Sequence, residues 1–523
     1  MSNSFTKQIS LIALIILLPL SALAKPNEVK DISMNSVSVP EEKEELNPKS
    51  SLEDSSNPDR NSLPQAENKQ LPSTSPTQTL SAEIYQINNL KQETLPVTLE
   101  AALKLVETQN LTVKRGNVQA RGATNRLRQA QIAVLPDLTG TFQQSRSQGG
   151  NQVFGNTVRF TRETVQPQLS LNWTISPGGR EIFQILAERK RRKAGQIQSK
   201  ETYQEQLSRA AEEFYNLQAA QDKRRVAQSG IEQSQLQLKL SQALYEVGRG
   251  TKLDVMRSEN LVAQQKQALI EAETAIVQSE QTLLQRLNLE PQIHLQTLPA
   301  SIEKNELVSL DSSLNELLNN AYSQNLDLQR LEQELKSLKH EFKATVASIV
   351  PDVTLRTFIG STGNTYNDQI RNEFVGVTVT ANLLQNLGLS IPFQLQAKGI
   401  EIEDKELEAR ENKRIIETNV STNFLNSLNF YNAIKTSELQ FQTAEEALRL
   451  ARTRYKEGYS TSLEVVQAQL EVTNARNTLV NAISNFNKAQ IRLLEALGKV
   501  DPTLLLRGLE TKVASRKSEL KKN

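Results

Sequence analysis

A chain of 523 residues has room for two or three ordinary domains, yet 5% of it is aromatic and it holds one Trp, which argues for long helices with thin apolar seams rather than thick cores. A formal net charge of +2 gives no electrostatic reason for a nucleic-acid partner. The lack of cysteine excludes disulfides, thiol nucleophiles and Cys-containing metal sites, and two isolated histidines, His294 and His340, carry no weight as metal or catalytic residues.

In chain order, Lys7 precedes an apolar run from Ile9 to Leu23 that closes on Ser21-Ala22-Leu23-Ala24. Residues 1–24 therefore read as a cleaved secretory signal; the run is short for a membrane span of roughly 20 residues. No later stretch is apolar enough for a membrane helix, so any membrane insertion must use β-strands. Residues 25–94 are rich in Pro, Ser, Glu and Asn, with seven of the seventeen prolines between Pro26 and Pro76, and read as a disordered linker.

Order is expected from Pro96. Thr98 is placed to cap a helix whose apolar residues, Leu99, Ala102, Leu103 and Val106, recur at helical spacing. That helix breaks near Gln109-Asn110, resumes, and ends at Leu135-Pro136-Asp137. From there the period changes to two. Leu138 to Arg146 reads as a strand, followed by a polar loop containing Gly149, Gly150 and Gly155. In the return strand Leu169, Leu171, Trp173 and Ile175 alternate with Ser170, Asn172 and Thr174, and Pro177-Gly178-Gly179 ends it. The next proline is Pro291, and the intervening sequence predicts a helix from Glu181 to Tyr245 of roughly 97 Å at ~1.5 Å per residue. A returning helix runs from Leu253 to about Leu289.

Between them lies Tyr245-Glu246-Val247-Gly248-Arg249-Gly250-Thr251-Lys252-Leu253-Asp254-Val255, and the pattern returns as Tyr455-Lys456-Glu457-Gly458-Tyr459-Ser460-Thr461-Ser462-Leu463-Glu464-Val465. Each is a helical hairpin tip: Gly supplies a left-handed C-cap, Thr the next N-cap, and the acid lies in the favoured first turn. The repetition extends over most of the chain. Asn110 and Pro136 recur as Asn325 and Pro351 (325 − 110 = 215), while Tyr245, Leu283, Leu284 and Leu287 recur as Tyr455, Leu493, Leu494 and Leu497 (455 − 245 = 210). One five-residue deletion between two constant offsets marks an internal duplication. Strands are again expected around Val353, Leu355, Thr357 and Ile359, then Val375, Val377, Val379 and Ala381, with Pro392 opening the second long helix. The division is then 95–304 for repeat 1, 305–500 for repeat 2 and 501–523 for a tail.

Each repeat is helix, two strands, very long helix, tip and long helix. Helices with such thin seams need lateral neighbours, and four strands cannot close a barrel whose edges would otherwise face lipid. Several identical chains sharing one barrel and one helical tube solve both problems. The expected fold class is mainly α with transmembrane β: a duplicated helix-strand-strand-long-hairpin repeat, forming an oligomeric outer-membrane β-barrel continued by a periplasmic α-helical barrel.

The ordered set Leu135-Pro136-Asp137 before a strand, Trp173 with Gly178-Gly179-Arg180 after its return, and the duplicated Tyr-x-x-Gly-x-x-x-x-Leu-Asp/Glu-Val tip resembles the TolC family of outer-membrane efflux ducts, over about residues 95–500. The resemblance implies a homotrimer with a twelve-stranded barrel in outer-membrane lipid. It also implies tips that meet a periplasmic adaptor protein and, through it, an inner-membrane pump of the ABC or RND type. The function implied is a passive duct of a tripartite efflux or type I secretion system, with no enzymatic activity and no cofactor, metal or catalytic residue expected. It further places Tyr455, Gly458 and Glu464 at the periplasmic gate, with Asp254 as the first-repeat counterpart. Three copies of Glu464 would form an anionic ring favouring cations; the alternative is an exposed acid stabilised by a helix dipole. Val247, Gly248, Arg249, Tyr459 and Ser460 are the expected adaptor contacts.

The sequence departs from the family where Ser460 stands in place of a basic gate residue and Gln467 in place of a second acid, so no ionic lock is expected there. The second repeat has Leu387-Gly388-Leu389-Ser390-Ile391-Pro392 instead of a Gly-Gly-Arg exit. Arg189-Lys190-Arg191-Arg192-Lys193 and the pair Glu212-Glu213 read as solvated helix faces. The competing functions are a periplasmic adaptor, which normally carries one hairpin, and a structural envelope-spanning coiled coil, which leaves the strands unexplained.

Overall fold

The computed structural model describes residues 94–153, 156–380 and 390–506, and no side chain within 151–160. The expected signal segment, all but residue 94 of the expected linker, Gly155, Ala381, residues 387–389 and most of the tail lie outside the described residues. The first half runs β1 (Thr94–Thr98), α1 (Leu99–Gln109), α2 (Leu111–Ile132), β2 (Asp137–Val153), β3 (Asn156–Ile175), α3 (Arg180–Glu246), α4 (Lys252–Leu287) and β4 (His294–Leu298). The second runs α5 (Leu314–Gln324), α6 (Leu326–Ala347), β5 (Asp352–Gly363), β6 (Gln369–Thr380), α7 (Ser390–Glu457) and α8 (Ser462–Ala496). The order helix, helix, strand, strand, long helix, helix occurs twice.

Asparagine makes the first break in each half for the same reason. Asn110 leaves helical geometry at φ −58° and ψ 123°, and its side chain accepts from Val113 N at 3.0 Å. Its Nδ2 also donates to the Arg286 carbonyl at 2.8 Å, so the break sits where α4 ends and α2 begins. Asn325 repeats the device at φ −61° and ψ 124°, accepting from Asp327 and Leu328 N. Beside it Gly498, with φ +68°, has no room for a side chain: a Cβ there would lie 2.9 Å from Asn325 Cα.

The helices α3 and α7 have 67 and 68 residues, ~100 Å each at 1.5 Å per residue. Helix α3 packs against α2 towards its strand end, α4 towards its tip, and α6 and α8 of the second half; α7 packs against α6 and α8. The thickest core lies at mid-length, where α1 wraps the long helices. There Leu99, Leu103, Leu207, Phe214, Leu217, Leu283, Leu287 and Ile491 share one buried cluster. A smaller copy forms where α5 meets α7 and α8, through Leu317, Ala321, Val420, Leu493 and Leu497. Towards the tip of the first hairpin the seam takes in small and polar side chains, including buried Ser234, Gln237, Ser241, Ser258 and Gln265.

The acid pair on α3 corrects the expectation of a solvated face. Glu213 receives Arg286 of α4 through Nε at 2.9 Å and Nη2 at 2.6 Å, and Glu212 receives Arg492 of α8 at 2.7 and 2.8 Å. Adjacent residues on a helix point about 100° apart, so one acid serves its own hairpin and the other the second hairpin. Forked pairs of this kind are the strong form of the ion pair. Arg191 likewise turns towards α6, where it pairs with Glu341.

A small parallel pair, β1 with β4, was not expected from the sequence. The larger sheet has the order β2-β3-β5-β6, antiparallel throughout, and both outer edges are open within the chain. Strands β2 and β3 also correct the expected loop: pairing continues through Gly149-Gly150 to Val153↔Asn156. Period-two alternation then sorts the sheet into two faces. One carries Leu138, Phe142, Leu169, Trp173, Ile175, Val353, Leu355, Ile359, Val375, Val377 and Val379; the other is mostly Thr, Ser, Asn and Gln. Most of those apolar side chains are exposed, Val375 at 72% and Leu138 at 66%. An exposed apolar surface of this extent marks a contact with a membrane or another protein surface. The apolar run on β3, Pro167 to Ile175, rises ~21 Å when tilted about 40°, close to the ~25 Å height of an outer-membrane band. At one rim Trp173 Nε1 donates to the Val134 carbonyl at 3.0 Å, and at the other Phe142 and Tyr366 stack at 6.2 Å. Among the described residues no helix is long and apolar enough to cross a membrane.

Candidate functional site

The two hairpin tips lie side by side at the far end of the long helices from the strands. In the first, Gly248 takes φ +74°, Arg249 N donates to the Leu244 carbonyl at 2.8 Å and Gly248 N to Tyr245 at 3.0 Å. This closes the last turn of α3 in the left-handed way that glycine permits. Thr251 then opens α4: its hydroxyl accepts from Asp254 N at 3.2 Å, and Asp254 Oδ2 accepts from Thr251 N at 3.1 Å. The second tip copies this with Gly458 at φ +85°, Tyr459 N to the Arg454 carbonyl at 2.8 Å, and Thr461 accepting from Glu464 N at 3.4 Å.

The gate candidates separate into two environments. Tyr455 is buried, 6% exposed, among Val465, Ala468, Leu448 and the flanking Leu244 of the first hairpin. Its hydroxyl lies 3.3 Å from Ser241 Oγ on α3, and Ser241 lies 2.9 Å from Ser258 Oγ on α4. A single hydroxyl of the second hairpin is thus tied to both helices of the first. One turn further in, Arg452 donates to Gln469 Oε1 at 2.6 Å and to Gln233 Oε1 of α3 at 3.3 Å; burial lowers its pKa. Tyr245, the duplicate of Tyr455, is 49% exposed.

Asp254 and Glu464 are local in their bonding. Asp254 caps α4 and has Arg257 3.9 Å away. Glu464 accepts from Ser460 Oγ at 2.7 Å, so a neutral hydroxyl of its own tip bonds the acid, with no cation paired to it among the described residues. The structure therefore brings Tyr455 against the first hairpin and leaves Asp254, Gly458 and Glu464 at the end.

Of the expected contact residues, Val247 is 68% and Tyr459 75% exposed, with Leu253, Met256 and Leu463 also exposed nearby. Gly248 and Ser460 shape the turns. Arg249 leans over the second tip: a Cβ on Gly458 would lie 3.5 Å from its Nη2. Sequence reasoning missed Ser241, Ser258, Arg452 and Gln233. The signal available was position, since Ser241 and Ser258 lie one helical turn inside Tyr245 and Asp254.

His294 Nδ1 lies 3.0 Å from Glu280, a pairing of β4 with α4. Among the described residues no group of three or more His, Asp or Glu could hold a metal ion.

Known proteins share both the pattern and the fold. The model of the outer membrane efflux protein family matches residues 102–289 and 317–499, one block for each half of the duplication. The pyoverdine export outer membrane protein OpmQ of Pseudomonas aeruginosa is 24% identical over 297 residues, 56% of this chain and 61% of that relative's length. The outer membrane protein VceC of Vibrio cholerae superposes with a TM-score of 0.65 at 18% identity, covering 76% of this chain and 96% of that one. The CmeC outer membrane channel of Campylobacter jejuni superposes with a TM-score of 0.68 at 13% identity, covering 78% and 88%. With both duplicated blocks matched in order and the same fold along more than three quarters of its length, the chain belongs to the outer membrane efflux protein family.

Proposed function

We propose that the chain is the subunit of an outer-membrane channel in a tripartite efflux or type I secretion system, a passive duct gated at its periplasmic helical tips. The observation that carries this is the sheet: four antiparallel strands, apolar on one face and polar on the other, open at both edges and continuous with helices ~100 Å long. Three copies edge to edge give a twelve-stranded wall, with the apolar face to lipid and the polar face to a lumen. The long hairpins continue that wall into the periplasm. On this reading residues 1–24 direct export, 25–94 link, 95–304 and 305–500 are the two duplicated repeats, and 501–523 is a tail.

The gate lies at the tips. Tyr455 holds the second hairpin against Ser241 of the first, and breaking that contact frees the second hairpin to swing outward. Glu464, Gly458 and Asp254 line the end that such a swing widens, and the Glu464 carboxylates make it cation-preferring. The exposed surface of Val247, Arg249 and Tyr459, shaped by Gly248 and Ser460, receives a periplasmic adaptor protein coupled to an ABC or RND pump. Cargo leaves by diffusion, without bond chemistry, as suits a family of channel proteins.

The test is single-channel recording of the purified mature protein in planar bilayers. Stable cation-preferring steps that lose part of their preference in Glu464→Gln support the duct and its ring. Steps indifferent to that change keep the duct and remove Glu464 from the gate. A monomeric protein that gives no steps and is absent from the outer membrane removes the channel reading.

A further inference from the structure

Along its middle the polar face of the sheet carries an aromatic pair beside an arginine. Thr141, Gln168, Ser170, Asn172, Thr354 and Thr378 make an uncharged, hydrogen-bonding wall. Set into it, Phe358 and Phe374 face each other across β5 and β6, their rings stacked at 5.4 Å and 17° apart. Two residues along β5, and so on the same face at roughly 7 Å, stands Arg356, directly across from Gly376. Gly376 puts no side chain beside the guanidinium, and the Phe374 ring leans over it: a Cβ on Gly376 would lie 2.5 Å from Phe374 Cζ. The ring and the guanidinium thus flank one glycine and form a single patch.

Neither half of the patch is used up within the chain. Phe374 is 45% exposed, Arg356 is exposed, and among the described residues no carboxylate pairs with Arg356. Arg146 pairs with Glu163 and Arg371 with Glu373, both on the apolar side above its band. Arg162 shares the polar face with Arg356 but lies ten residues along β3 from Asn172, the residue opposite Arg356, with no aromatic pair beside it among the described residues. A cross-strand Phe pair by itself stabilises an edge strand. That role needs no cation beside it.

We infer that Phe358, Phe374 and Arg356 form a lumen-side subsite for organic anions that carry an apolar or aromatic body and a carboxylate or similar acid group. The inference rests on the channel reading, which turns this face to the lumen. An aromatic body stacks on the exposed Phe374 ring, and the planar guanidinium takes the acid in a forked, charge-assisted pair. Three such patches, one per copy, give the barrel a wall that retains amphipathic anions and passes neutral polar solutes freely. Being weak and threefold, the sites slow cargo without trapping it, as conduction requires.

Binding of 2-naphthoate to the purified protein in phospholipid nanodiscs, followed by saturation-transfer NMR against empty nanodiscs, tests this. Saturable binding is expected, weakened about tenfold or more in Arg356→Gln, the loss of one forked ionic contact, and weakened again in Phe374→Leu. The cation 2-naphthylmethylammonium is expected not to compete. Equal binding to wild type and Arg356→Gln, or equal competition by the cation, overturns the subsite. Should Phe374→Leu fail to assemble because it unseats the edge strand, Arg356→Gln decides alone. The same preparations are recorded in planar bilayers: conductance steps without naphthoate binding overturn the subsite only, whereas a protein without steps or assembly overturns the channel reading as well.

Discussion

Through its hydroxyl Tyr455 makes the hydrogen bond between the hairpins that lies nearest their tips, with Arg452 to Gln233 one turn further in. Replacing it with Phe removes the bond to Ser241 and leaves Ser241 paired with Ser258, a loss of about 1 kcal/mol. The opening frequency in planar bilayers is then expected to rise about fivefold; an unchanged frequency detaches Tyr455 from the gate. A second residue gives the protein a pH dependence. Burial in the cleft between α3 and α8, followed by the charges of Glu212 and Glu205, raises the Glu495 carboxyl from 4.5 to about 7. The folded state therefore favours the protonated acid. Its stabilising share is full below the ordinary carboxylate range and is lost as pH rises through about 7. Relative to Glu495→Gln, the melting temperature of the wild type should fall between pH 5 and pH 8.5; parallel melting curves would show that the carboxyl is not held this way.

At the scale of the element, the mid-length belt bears the packing. Phe214 is 2% exposed and meets Tyr215 edge-on at 5.8 Å, inside the cluster that joins α1, α3, α4 and α8. Phe214→Ala is expected to cost about 3–5 kcal/mol, measured as a drop in the thermal midpoint of the purified protein, while Phe142→Ala on the exposed apolar face of β2 should shift that midpoint far less. The helices were legible because proline-free length, Asn breaks and Gly tips are local signals. The strands were legible only as far as their alternation, and β2 and β3 run on through Gln148-Gly149-Gly150, where pairing rather than side-chain pattern holds them. The partners of Glu213 and Glu212 lie 73 and 280 residues away. No local charge pattern announces them. Ser241 and Tyr455, 214 residues apart, were hidden for the same reason, so the tips could be located in the sequence while the bond between them could not.

At the scale of the whole molecule, the proposed trimer would pair the two sheet edges that one chain leaves open, β2 and β6. The chain has no cysteine, so introduced pairs report without background. Leu138→Cys combined in turn with Val375→Cys, Val377→Cys or Val379→Cys is expected to give a covalent trimer for at least one pairing under mild oxidation, read on a denaturing gel. Monomer bands for all three would argue against edge-to-edge closure. The duplication has a further consequence once three chains surround an axis. Six hairpins then form the ring, but only alternate ones carry an anchored tyrosine, since Tyr455 is buried and Tyr245 is not. Such a ring would be sixfold in outline and threefold in freedom. On the proposed trimer and gate, three hairpins would stay as posts while the three between them turn, and the aperture they leave would be a triangle.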